Sequence, residues 1–220
     1  MQIISVINQK GGVGKTTTVI NLAAGLSQQK KKILVVDLDP QGNATTGLGL
    51  SNVESSGETI YGVLNGTKTI NEVIKKTSFQ NLDIITSNVD LSGLEVETAG
   101  DSKRAFILKD QLTAYLNDSR ALYDYILIDC PPSLSLLTVM ALVCSDSLVV
   151  PLQTEFFALE GLTQLMKTIE RIKVNLNPDL KIRGILLTMY DKRNKLSSQV
   201  EKEARDFFNE KVYLTVIPRN

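Results

Sequence analysis

Apolar and polar positions along this chain alternate between short β-branched runs and longer stretches with helical spacing. Residues 3–7, 33–36, 82–86, 125–129, 148–151, 182–188 and 212–217 are near-continuous apolar runs, the signature of strands covered on both faces. Residues 16–29, 103–117, 134–143, 158–175 and 196–208 read as helices between them. The first of these carries its apolar stripe on Val19, Ile20, Leu22, Ala23 and Leu26. Strands alternating with amphipathic helices predict βαβ units, hence an α/β fold with a doubly wound, mostly parallel sheet. Residues 41–56, rich in Gly, Ser, Thr and Asn, read as the longest loop. No repeat, low-complexity tract or linker divides the pattern, so residues 1–220 are expected to form a single domain.

Composition narrows the class. A chain of 220 residues buries roughly 70% or more of the surface its unfolded form exposes, and needs no disulfide or metal staple. With 43% apolar and 22% charged residues, it is neither disordered nor fibrous. No apolar run approaches the roughly 20 residues that span a bilayer, and the N-terminus lacks the shape of a signal peptide, so a cytoplasmic protein is expected. Cys130 and Cys144 are too few for a disulfide framework, and neither has a neighbouring cation in sequence to lower its pKa. Both are expected to be buried structural thiols. Histidine is absent altogether, which removes histidine triads, histidine metal sites and histidine general bases. Carboxylates, lysines, hydroxyls and backbone groups must carry any chemistry. Charge is zero overall but divided: residues 1–170 sum to −5 and residues 171–220 to +5. Such a basic C-terminal face suits an anionic polymer.

The most specific string follows the first predicted strand and opens the first helix: Lys10-Gly11-Gly12-Val13-Gly14-Lys15-Thr16-Thr17. Glycines let successive backbone N–H groups converge on one phosphate, and the helix N-terminus adds its dipole. In such a loop Lys15 neutralises the β- and γ-phosphates of ATP and the Thr16 hydroxyl sits on Mg²⁺. The usual pattern, G-x-x-x-x-G-K-[ST], would require glycine at position 9; this chain has Gln9, and an additional lysine at Lys10. Two more strand ends carry carboxylates, Asp37 and Asp39 in VDLDPQGNAT and Asp129 in IDCPPS. Strand ends are where ligands sit in open α/β sheets, and an apolar strand ending in Asp is the arrangement that holds hydrated Mg²⁺.

These blocks, with the segment from Val150 to Gly161, resemble the deviant-Walker ATPases that include ParA/Soj, MinD and the nitrogenase iron protein. VDLDPQGNAT and DCPPS are similar specifically to ParA/Soj partitioning ATPases, and the likeness runs over residues 2–220. The resemblance implies an ATP-dependent homodimer in which Lys10 reaches the partner's ATP. It implies that Lys10, Lys15 and Asp39 are catalytic, Asp39 orienting the attacking water, with Asp37 and Asp129 supporting Mg²⁺ through water beside Thr16. Nucleotide contacts would come from Lys10, Gly11, Gly12, Val13, Gly14, Lys15, Thr16 and Thr17, with Pro218 and Asn220 at adenine. Arg193 and Arg219 fall at the family's DNA-contacting positions, and Lys192 and Lys195 enlarge the patch. Non-specific DNA, a ParB-like centromere-binding partner, nucleoid association and no membrane are the implied setting. The family continues past Ile217-Pro218-Arg219-Asn220, so the chain is expected to be C-terminally short relative to it. Two alternatives stay open: a MinD-like membrane-associated positioning ATPase, and an ATP-sensing regulator without efficient turnover.

Overall fold

The computed structural model describes residues 1–50, 56–118 and 123–219. Its strands are β1 (Gln2–Val6), β2 (Ile33–Asp37), β3 (Ile74–Lys76), β4 (Leu82–Ile85), β5 (Tyr125–Asp129), β6 (Ser147–Gln153) and β7 (Lys181–Thr188). Its helices are α1 (Lys15–Gln28), α2 (Asn43–Gly47), α3 (Ile60–Leu64), α4 (Ile70–Val73), α5 (Leu94–Glu97), α6 (Ile107–Leu116), α7 (Leu136–Cys144), α8 (Ala158–Asn175) and α9 (Lys195–Phe208). The strands form one sheet in the order β3-β4-β2-β5-β1-β6-β7. All neighbours run parallel except the edge strand β3, which is antiparallel to β4. The doubly wound α/β sheet expected from the alternation is therefore the fold.

Every residue of β2 is buried, which explains its unbroken apolar run. One face of the sheet packs Ile4, Val6, Val35 and Ile84 against Val19 and Ala23 of α1. The opposite face divides in two. Leu34, Val36 and Ile128 meet the cluster that includes Leu108 and Met140, whereas Val150 and Leu187 meet Leu165 and Ile169 of α8. Register decides where chemistry can gather: Asp129 of β5 lies level with Asp37 of β2 and Val6 of β1. Two carboxylates and the start of the glycine loop thus share one sheet edge, at the C-terminal ends of the strands.

Several local expectations change. Residues 41–50 are not all loop: Asn43 to Gly47 turn into α2, with Ala44 and Thr45 buried; residues 51–55 of that expected loop lie outside the described residues. The predicted strand at 212–217 is instead an irregular border along β7, making isolated parallel bridges from Val212 to Ile185 and from Pro218 to Tyr190. Its N–H groups reach β7 only intermittently, Tyr213 to the Ile185 carbonyl at 3.0 Å and Ile217 to that of Leu187 at 2.8 Å. Pro218 has no N–H to extend the ladder, and Leu214 stands 92% exposed. Gly184 makes the close approach possible, because a Cβ there would lie 2.4 Å from the Tyr213 ring. The expected helix at 103–117 starts as a 3₁₀ turn over Arg104–Phe106 before α6, and that at 134–143 starts only at Leu136. The helices α3, α4 and α5 have four or five residues each, too short to show a helical period. Among the described residues no helix is long and apolar enough to cross a membrane.

Candidate nucleotide site

The glycine loop leaves β1 and bends back into α1 through two left-handed residues, Gly12 at φ 75° and Gly14 at φ 90°. Gly14 is the N-cap of α1, so no side chain stands between the first free N–H groups of the helix and the space above them. The loop is tied down at three points. Asn8 accepts from the Lys10 N–H at 3.0 Å and donates to the Pro151 carbonyl of β6 at 2.7 Å. The Thr188 hydroxyl, at the end of β7, donates to the Val13 carbonyl at 2.9 Å. Val13 itself is buried. Above this frame opens a cavity of about 500 Å³ lined by Gly11, Lys15, Thr16, Thr17, Asp39 and Met189, among others.

Lys15 is the first residue of α1, only 7% exposed, and its Nζ donates to the Lys10 carbonyl at 3.1 Å. Burial holds its pKa below the ordinary 10.5, while Asp129, Cys130 and Asp39 pull the other way. The ammonium is thus folded across the loop and short of hydrogen-bond acceptors, which suits it to take phosphate oxygens. Thr16 and Thr17 line the cavity.

The three aspartates divide the work. Asp129 is fully buried and neither carboxylate oxygen has a hydrogen-bond partner. Burial first, then the charge of Asp37, pushes its pKa up to about 7, with the Thr16 hydroxyl and Lys15 opposing. Asp37 is also fully buried, but its oxygens are occupied. One accepts from the Thr45 N–H at 2.8 Å and the Thr45 hydroxyl at 2.7 Å, the other from the Asp39 N–H at 3.2 Å. Burial raises it to about 6 against those bonds. Asp39 is nearly buried, lines the cavity, and accepts from the Gln41 N–H at 3.0 Å.

An orphaned, desolvated carboxylate beside a threonine hydroxyl is the donor set that hydrated Mg²⁺ takes, since that ion keeps most of its water and adds phosphate oxygens. Thr16 and Asp129 fit it; Asp37 is turned toward Thr45 and serves the loop. Among the described residues no group of three or more His, Cys, Asp or Glu side chains could hold a metal unaided. The cysteines are buried and free. Burial pushes both thiols up, Cys144 to about 12, so neither is a nucleophile at neutral pH.

The remaining expected residues lie outside this cavity. Lys10, half exposed at the outer end of the loop, forms an ion pair with Glu155 in the turn after β6. Phe156 and Phe157 follow at 74% and 68% exposure, stacked edge to face. Pro218 is exposed on the border of β7, bridged to Tyr190, and Asn220 lies outside the described residues. Lys192 and Arg193 are exposed in the turn between β7 and α9 and Lys195 is exposed at the start of α9, with Arg219 exposed on the neighbouring C-terminal segment. Sequence reasoning missed Asn8, Thr45, Glu155, Thr188 and Met189. Met189, a non-glycine residue at φ 51° in the cavity wall, left no signal because β7 is remote in sequence from the loop it braces. A separate cavity of about 610 Å³ is an apolar groove between α1 and the β6–β7 face walled by Leu22, Leu26, Leu186 and Tyr213.

Residues 1–182 match a family model described as an AAA domain. The chromosome partitioning protein ParA of Caulobacter vibrioides is 50% identical over 220 residues, all of this chain and 81% of the relative. The sporulation initiation inhibitor protein Soj of Bacillus subtilis is 48% identical over 219 residues, covering 100% of this chain and 85% of that protein. Among solved structures, cobyrinic acid a,c-diamide synthase from Mycobacterium smegmatis, with bound ATP analog and magnesium, superposes with a TM-score of 0.91. It is 35% identical and covers 100% of this chain and 88% of its own. A glycine loop with its extra lysine, strand-end aspartates at one sheet edge, and half-identical relatives along the whole length place this chain in the ParA/Soj family of partitioning ATPases.

Proposed function

We propose that this protein is a nucleotide-switched partition ATPase, which binds Mg-ATP in the cavity over the glycine loop, dimerises, and holds DNA without sequence preference until a ParB-like partner triggers hydrolysis. Residues 1–220 act as one domain in this reading. The observation that carries it is a buried, acceptor-poor Lys15 in the cavity wall, with the orphaned carboxylate of Asp129 close enough behind it for their charges to interact. Backbone N–H groups of residues 11–14 and the Lys15 ammonium hold the phosphates, and Thr16 with Asp129 holds the cation's water shell. Mg²⁺, when bound, neutralises charge building on the β- and γ-phosphate oxygens. Asp39, fixed by Gln41, orients the water for in-line attack and accepts its proton.

Lys10 cannot reach the γ-phosphate that Lys15 already covers; it supplies its charge to the partner's nucleotide. In the isolated chain it rests on Glu155, so dimerisation exchanges an internal carboxylate for a phosphate. The exposed Phe156–Phe157 pair beside it is apolar surface that a second copy would cover.

Light scattering after gel filtration, with ATP and with ADP, tests the reading: a dimer with ATP alone is expected. Lys10→Ala should keep monomeric ATP binding, lose the dimer, and fall in turnover by about 1,000-fold, the lower end for a charge supplied in trans. Normal turnover by that variant would refute the cross-dimer role.

A further inference from the structure

The arginine expected to touch DNA is already occupied. Arg193 donates from Nε to one carboxylate oxygen of Asp191 at 3.1 Å and from Nη2 to the other at 3.1 Å. This is the parallel two-bond fork with which guanidinium also grips phosphate. The Arg193 backbone N–H joins the same carboxylate at 3.0 Å. Arg219 is brought alongside by the main chain, its N–H donating to the Tyr190 carbonyl at 3.1 Å, next to Asp191 in sequence. Both arginines hold the Asp191 carboxyl below its ordinary range, Arg193 first through its hydrogen bonds and Arg219 through charge alone. One guanidinium therefore grips this small planar anion on an exposed surface, and the charge of Arg219 acts on the same carboxylate, with Lys192 and Lys195 nearby in sequence.

We infer that Asp191 is an internal stand-in for a DNA phosphate, occupying the Arg193 fork beside the charge of Arg219 and keeping DNA affinity low until a duplex phosphate displaces it. The inference rests on the DNA-binding part of the proposed function. Its physical content is an exchange reaction. A free Arg193 would carry condensed counter-anions or water, whereas here it carries a tethered carboxylate, so a phosphate must compete with an intramolecular partner. Asp191 is already counted in the net +5 of residues 171–220, but it sits on the very arginine expected to meet DNA. The exchange also gives a role to the acidic residue that opens Asp191-Lys192-Arg193-Asn194-Lys195, an otherwise cationic and polar string.

Asp191→Asn is the informative variant, because Asn keeps the carbonyl acceptor for the Arg193 N–H while removing the charge. Fluorescence anisotropy with a random-sequence duplex, in saturating ATP and across a salt series, gives affinity and salt slope together. The expected result is about threefold tighter binding per engaged copy, about tenfold for a dimer using both, as the loss of a well-formed exposed ion pair allows. The slope of log K against log salt should steepen by about one per copy, since a phosphate now releases counterions it did not release before. Asp191→Ser, which also keeps an acceptor for the turn, should behave alike. Unchanged or weaker binding by both variants, with Arg193→Ala still weakening the complex, would overturn the inference and leave the DNA reading standing. Full binding by Arg193→Ala would instead overturn the DNA reading itself.

Discussion

Asp129 is the buried group whose removal should strengthen the fold while destroying the site. Its carboxyl moves from an ordinary 3.8 to about 7 on folding, because burial and the nearby Asp37 disfavour its charge. The folded chain therefore binds a proton that the unfolded chain releases between those two values. Stability from this group is complete below the unfolded value and is lost as pH rises through about 7. A carboxyl raised from 3.8 to about 7 costs the fold about 4 kcal/mol at pH 8. Asp129→Asn removes that cost but leaves a buried amide with no partner, a penalty of about 1–3 kcal/mol. The net gain at pH 8 is then about 1–3 kcal/mol, or about 3–10 °C in Tm for a chain of this length. Circular dichroism melts without nucleotide or Mg²⁺ should show the variant ahead of wild type at pH 8 and level with it or behind near pH 4. Mg-ATP should raise the wild-type Tm and raise the variant's much less. A variant less stable than wild type at every pH would show that Asp129 is not desolvated in this way, and the cation-site reading would fall with it.

Other consequences are more direct. Lys15→Ala should abolish ATP binding by titration calorimetry, and wild-type affinity would sink the assignment of the glycine loop. Asp39→Ala should still bind ATP but lose turnover by about 100-fold, the lower range for a group moving a proton in the transition state; an unchanged single-turnover rate would remove Asp39 from the mechanism. Gly184→Ala should drive a methyl into the Tyr213 ring, 2.4 Å away, and lower the urea-unfolding free energy by about 1–3 kcal/mol, as overpacking does. No change there would mean the C-terminal border yields freely.

The parts legible in the sequence were those with a local signature. Six of the seven apolar runs became strands because each had to be buried on both faces, and the glycine loop announced its own geometry through residues that tolerate positive φ. The run at 212–217 misled because apolar content was taken for pairing; Leu214 points to solvent and Pro218 cannot donate. β3 escaped notice because an edge strand of three residues, two of them lysine, carries too little apolar signal and uses its charges to guard the edge. Among the candidate site residues, Lys15, Thr16, Asp39 and Asp129 were legible in the sequence because they stand at or just past strand ends or in the loop. Thr188, Met189 and Glu155 were not, since their importance arises only when β6 and β7 come to lie beside β1.

Asp37 shows why a motif residue need not do what its motif partner does. It sits at the same sheet level as Asp129 and is as deeply buried, yet one is bonded and the other bare. The difference is α2. Thr45, in its first turn, gives Asp37 two hydrogen bonds and accepts a third from the Ser87 N–H at 3.0 Å, joining the ends of β2 and β4. That clasp fixes the turn between them, and the turn carries Asp39 and Gln41 into the cavity. The charge on Asp37 is costly to bury, and its raised pKa of about 6 records how incompletely the bonds offset that cost. An asparagine would bury more cheaply but could not accept from both Thr45 groups and the Asp39 N–H with equal strength, because one of its two positions is a donor. A carboxylate therefore stands where it is costly to the sheet, because a double acceptor holds the turn that places Asp39 in the cavity wall.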